Sequence, residues 1–163
     1  MKTTDATTER IIAFLRSIGL RVEMAPVDGP TVLPGITVSA GALVIDPGRL
    51  RYPGDILHEA GHLAVVTAAE RADLDHNVGQ SPANEMMAIG WSYAAARHLD
   101  LPPEVVFHDD GYRGGSRSLL DNFAAGRYLA VPTLQWLGLT ADERRAAELG
   151  VPPYPHMLRW LRD

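Results

Sequence analysis

Residues 56–71 constrain this chain more than any other stretch: no proline interrupts them, and Ala, Leu and Val crowd the run. Pro47-Gly48 and Pro53-Gly54 bracket the loop that leads in, and Asp55 is a residue type whose side chain caps helix N-termini. The run therefore predicts a helix with Asp55 as its N-cap. A second helix follows from different signals. Residues 72–80 are polar, and Ser81-Pro82 offers an N-cap followed by a proline at the first helical position, where its missing N–H is no loss. This predicts a helix over 82–98, stopped by Leu101-Pro102-Pro103.

Ahead of this pair, Ile11, Ile12, Leu15 and Ile18 recur at three-and-four spacing over residues 9–18, which makes one apolar stripe on a helix ended by Gly19. Residues 20–46 are rich in Val, Ile and Thr but broken by Asp28-Gly29-Pro30, Pro34-Gly35 and Gly41, the pattern of two or three short strands. Residues 108–116 read as a glycine-rich loop. Helices are expected over 118–129, 132–137, 140–149 and 155–161, with Thr140 as an N-cap and Glu143 closing a capping box. The expected fold class is α+β, a single domain over residues 1–163 with a small N-terminal sheet, a central helix pair and a helical C-terminal half.

Composition narrows the chemistry. The 163 residues include no cysteine, which removes thiol nucleophiles, disulfides and every cysteine-ligated metal site. Any metal must be held by His, Asp or Glu. Fifteen Lys and Arg face 20 Asp and Glu, a formal charge of -5 without a basic cluster, so nucleic acid is not an expected partner. No apolar run is long enough to span a membrane. The acidic residues before the spaced apolar positions of the first helix do not read as a secretory signal, and a cytoplasmic location is expected.

The predicted helix over 56–71 carries His58-Glu59-Ala60-Gly61-His62. Residues four apart lie one turn above each other, so both imidazoles project from one face and can share one ion. Glu59 is turned about a quarter of the way around the helix; it is poorly placed to ligate but able to reach a water at an open metal position and take its proton as general base. Gly61 costs roughly 1 kcal/mol of helix propensity against Ala, which suits a position where another element comes close.

A third ligand is needed. A pattern with glycine three and histidine six residues after His62 is excluded, because Val65 and Ala68 stand there. Glu85 is the best candidate: the chain between the helices is long enough to reverse, and Glu85, Ala88, Ile89, Ser92, Ala96 and Leu99 would share one face of the second helix. Asp73, Asp75, His76 and His98 are its rivals. Two imidazoles and a carboxylate suit zinc, and other first-row ions bind such a set as well. Tyr112, His108 and Arg113 are candidate donors to a tetrahedral oxyanion. Met86, Met87, Trp91, Tyr93, Trp136 and Trp160 read as core or helix-packing residues.

His58-Glu59-Ala60-Gly61-His62 with Asn84-Glu85-x-x-Ala88 downstream resembles the gluzincin branch of the zincin metallopeptidases, over about residues 55–99. The resemblance implies His58, His62 and Glu85 as zinc ligands, Glu59 as catalytic base, one Zn2+ per chain and a peptide or protein substrate. The chain is much shorter than the thermolysin-like and aminopeptidase members. Two function classes follow: a zinc-dependent metallohydrolase, most simply a small metallopeptidase, and a non-hydrolytic metal-binding sensor or protein-interaction module on the same scaffold. Neither sets the oligomeric state.

Overall fold

The computed structural model describes residues 4–76, 78 and 81–163. Helix α1 (Ala6–Ser17) starts at Asp5, whose side chain accepts from the Thr8 N–H, and it buries Ile11, Ile12, Phe14 and Leu15. The apolar stripe thus faces inward, with Ile18 just past the helix as its C-cap. Strands β1 (Val22–Met24), β2 (Ile36–Ser39) and β3 (Ala42–Ile45) form one sheet in the order β1-β3-β2. β1 runs parallel to β3, with Val22 opposite Leu43, and β2 antiparallel to it, with Ile36 opposite Ile45.

Helix α2 (Gly54–Ala64) is shorter than predicted. The chain leaves the helix at Val65 and restarts at Thr67, where a reciprocal capping box with Glu70 opens α3 (Ala68–Ala72). Arg71 fixes the break: its guanidinium donates to the carbonyls of Leu63 at 2.7 Å and Val66 at 3.1 Å, groups the end of α2 leaves open. Asp55 is not the cap either. It lies buried in the first turn, and the N-cap position is Pro53.

Helix α4 (Pro82–His98) has the predicted bounds, with the Ser81 side chain accepting from the Asn84 N–H. Every residue from Ala88 to Ala96 is buried, so α4 is the axis of the core rather than an amphipathic surface helix. One hydrophobic cluster joins it to residues from α1, the sheet, α2 and the C-terminal half, including Trp91, Phe107, Phe123 and Leu134.

The C-terminal half holds short 3-10 turns at Pro103–Val105 and Tyr112–Gly114, then α5 (Ser116–Ala124), α6 (Val131–Trp136) and α7 (Glu143–Leu149). Gly126, at a φ of 74°, closes α5 well before residue 129. Thr140 does not cap α7: it is buried and donates to the His156 carbonyl, while Asp142 accepts from the Arg145 N–H. The expected capping box at Glu143 is therefore replaced by this single side-chain cap. Residues 155–161 form turns instead of a helix, because their hydrogen bonds go elsewhere: the Leu158 N–H donates to Leu139 and the Trp160 carbonyl accepts from the Trp91 indole. This amphipathic tail thus packs on its own chain. Among the described residues, no helix is long and apolar enough to cross a membrane.

Candidate metal centre

Helix spacing in α2 stacks His58 and His62 as the sequence predicts, and their Nε2 atoms lie 3.1 Å apart. From the first turn of α4, Glu85 places Oε1 3.2 Å from His58 Nε2 and Oε2 3.0 Å from His62 Nε2. Three side chains from two packed helices therefore face one point. Asp75 caps the Ala40 N–H, His98 packs edge-on to Trp160, and neither reaches this point; Asp73 caps the end of α3 and His76 lies beside Thr37.

The far side of each imidazole is fixed. Asn84 Oδ1 can only accept, so His62 Nδ1 carries the proton and donates to it, leaving Nε2 as a bare lone pair. His58 Nδ1 lies 2.9 Å from the Tyr112 hydroxyl. With Nε2 turned to the shared point, His58 donates from Nδ1 to the Tyr112 oxygen. Two lone pairs and a carboxylate that converge in this way need a proton or a cation between them. The Nε2 separation is close to the roughly 3.3 Å expected for two nitrogens on a tetrahedral ion with bonds of about 2.05 Å. The donor set fits zinc.

Glu59 belongs to the same cluster: one ligand atom each from His58, Glu59 and His62 lie within 4.8 Å of one another. Burial pushes the Glu59 carboxyl up, against the pull of the two histidines. Glu85 moves the other way. Burial disfavours its charge, but the two imidazoles facing it outweigh that and, when their Nε2 atoms carry the protons a metal would replace, hold it well below the usual carboxylate range. One carboxyl is thus disposed to take a proton while the other stays charged, a separation of roles that suits acid–base work beside a cation.

A cavity of about 480 Å³ opens over the cluster, with Val32, Leu33 and Pro34 on one wall and Arg51 and Arg113 also lining it. Of the three expected oxyanion donors, Arg113 lines the cavity and the other two have partners of their own. Tyr112 is held on His58, and His108 puts Nε2 2.7 Å from Asp55 Oδ1 while its Nδ1 is buried with no partner. Sequence reading missed Asn84 and Tyr112 as partners of the histidines, and Asp55 as the partner of His108. The position of Asp55 three residues before His58, on the same side of α2, was the available signal.

No family model, no curated protein and no solved structure matches this chain. The His58-Glu59-His62 cluster on a helix resembles an HExxH zinc-binding motif, and the small mixed sheet followed by a mostly helical region is consistent with a zincin-like α+β arrangement.

Proposed function

We propose that this protein is a zinc-dependent metallohydrolase, a small metallopeptidase in which His58, His62 and Glu85 hold the ion and Glu59 is the general base. The observation that carries this reading is the convergence of both Nε2 atoms and the Glu85 carboxylate, with both Nδ1 atoms tied behind them. When bound, zinc supplies Lewis-acid polarisation of a carbonyl and acidifies a water to a pKa of about 7.

The chain's own residues do the rest. Glu59 accepts a proton on its carboxylate and passes it to the leaving amine; its raised proton affinity suits a group that must carry the proton between the two. Asn84 and Tyr112 hold the imidazoles in one orientation. Val32, 80% exposed at the cavity wall, offers an apolar contact to an incoming peptide.

The test is Glu59→Gln in zinc-loaded protein against a peptide library. Zinc content should be unchanged and cleavage reduced on the order of 100-fold or more. Unchanged turnover would refute the role of Glu59. The His108 Nε2–H is taken up by Asp55, and the loss of that donor favours the second reading, a metal-binding module without hydrolysis. That reading predicts zinc uptake by the wild type and no Glu59-dependent cleavage of any peptide.

A further inference from the structure

We propose that the loop over residues 108–116 is a clamp that sets the orientation of His58, and that Tyr52, Asp55 and His108 are positioning residues acting on the metal site through Tyr112. This rests on the metal reading above and assigns a role to residues that it leaves unused.

Tyr52, Asp55 and His58 recur every third residue from just before α2 into its first turns, so they line one side of the helix start. His108, Asp110 and Tyr112 alternate along the loop, and each reaches at least one of the three. The His108 ring stacks on Tyr52, with centroids 3.8 Å apart and planes 15° apart, and its Nε2–H donates to Asp55 Oδ1 at 2.7 Å. Asp110 accepts from the Tyr52 hydroxyl. Tyr112 accepts from His58 Nδ1 at 2.9 Å. The loop is also closed on itself, since the His108 carbonyl accepts from Ser116 Oγ at 2.6 Å and from the Gly111 N–H at 3.0 Å.

Two features indicate that this geometry is enforced. Tyr112 and Arg113 stand at φ values of 52° and 53°, a left-handed conformation that side chains disfavour and that persists only where the surroundings fix it. His108 Nδ1 is buried without a partner, although a loop free to turn would offer that atom to water. Gly111 packs against the same ring; a Cβ there would come 3.3 Å from His108 Cε1.

The two histidines are supported unequally. His62 is tied by Asn84, which is part of α4, whereas His58 is tied by a loop residue whose position depends on the other contacts. Losing the His108 anchor should therefore release Tyr112 and, with it, the alignment of His58 Nε2. Second-layer partners of this kind typically change metal affinity by 10- to 100-fold.

The experiment measures zinc affinity by competition with a chromophoric chelator, together with the 1H–15N signal of the His58 Nδ1–H in metal-free protein. Wild type should bind zinc and show a slowly exchanging Nδ1–H. His108→Ala and Tyr112→Phe should each weaken binding about 10-fold or more and abolish that signal. The double variant should bind no more weakly than Tyr112→Phe alone, because the first residue acts through the second. Asp55→Asn, which keeps an acceptor oxygen, should retain more affinity than Asp55→Ala. Circular dichroism of each metal-free variant reports folding, and if His108→Ala unfolds, Tyr52→Phe, which removes only the bond to Asp110, takes its place. Wild-type affinity in these variants, or additive losses in the double, overturns the clamp. Failure of the wild type to bind zinc defeats the metal reading instead, and persistence of the Nδ1–H signal in His108→Ala then overturns the clamp separately.

Discussion

Gly61 of α2 lies so close to Ala88 of α4 that a Cβ built on the glycine would fall 2.9 Å from the Ala88 carbonyl oxygen and 3.0 Å from its Cα. Gly61 stands between the two histidines, and Ala88 is one turn beyond Glu85 on the same side of α4. This contact therefore sets how near Glu85 comes to the imidazoles. Gly61→Ala would gain about 1 kcal/mol of helix propensity. The clash with backbone atoms would cost about 1–3 kcal/mol and push the helices apart. Urea unfolding should show a net loss of stability of about 1 kcal/mol, and zinc should bind more weakly. A variant more stable than wild type with unchanged zinc affinity would contradict this account of the helix pair.

Asn84 gives a second test, at the other histidine. Asn84→Ala removes the acceptor behind His62 while leaving its backbone N–H capped by Ser81, so the helix start is kept. Zinc affinity should drop by about 10- to 100-fold, and Asn84→Asp, which retains an acceptor, should lose less. Chelator competition distinguishes these from a flat response, which would mean that the Asn84 contact plays no part in metal binding.

Which parts of this structure were legible in the sequence follows from how local their causes are. The stacking of His58 and His62 needs only the helical repeat, and the bounds of α4 need only Ser81-Pro82 and the prolines after Leu101. The break after α2 was also written locally, as Thr67-x-x-Glu70, but the apolar run through Val65 and Val66 masked it. The C-terminal tail was illegible for a different reason. Its spacing is amphipathic, yet the Arg162 N–H donates to Ala64 and the Trp160 carbonyl accepts from Trp91, partners far away in the chain. Tyr112 on His58, 54 residues apart, belongs to the same class.

Tyr154 tests the core around α4. Its hydroxyl is buried and donates to the Gly90 carbonyl at 2.8 Å, and burial pushes it well above the usual phenol range. Tyr154→Phe should cost about 1 kcal/mol. At this chain length that lowers Tm by roughly 2–4 °C. A calorimetric Tm equal to that of the wild type would mean that the bond contributes nothing.

At the N-terminus, Asp5 should make stability pH-dependent. Its bond to the Thr8 N–H lowers its pKa below the ordinary value of 3.8, with burial opposing. A carboxylate depressed in the folded state contributes stability above its unfolded value and loses it as pH falls through the folded one. Asp5→Ala should therefore destabilise the protein by about 1 kcal/mol at pH 7. The gap should narrow as pH falls below 3.8, measured by urea unfolding across that interval. A gap that widens on acidification would reverse the sign of this contribution.

The central claim is that His58, His62 and Glu85 are built around a metal ion. Elemental mass spectrometry of protein purified without chelator, on the wild type beside Glu85→Ala, tests it most directly. The account predicts about one zinc per wild-type chain and loss of that zinc in the variant. A wild-type chain that holds no zinc even after reconstitution, or a Glu85→Ala chain that holds it equally well, would contradict it.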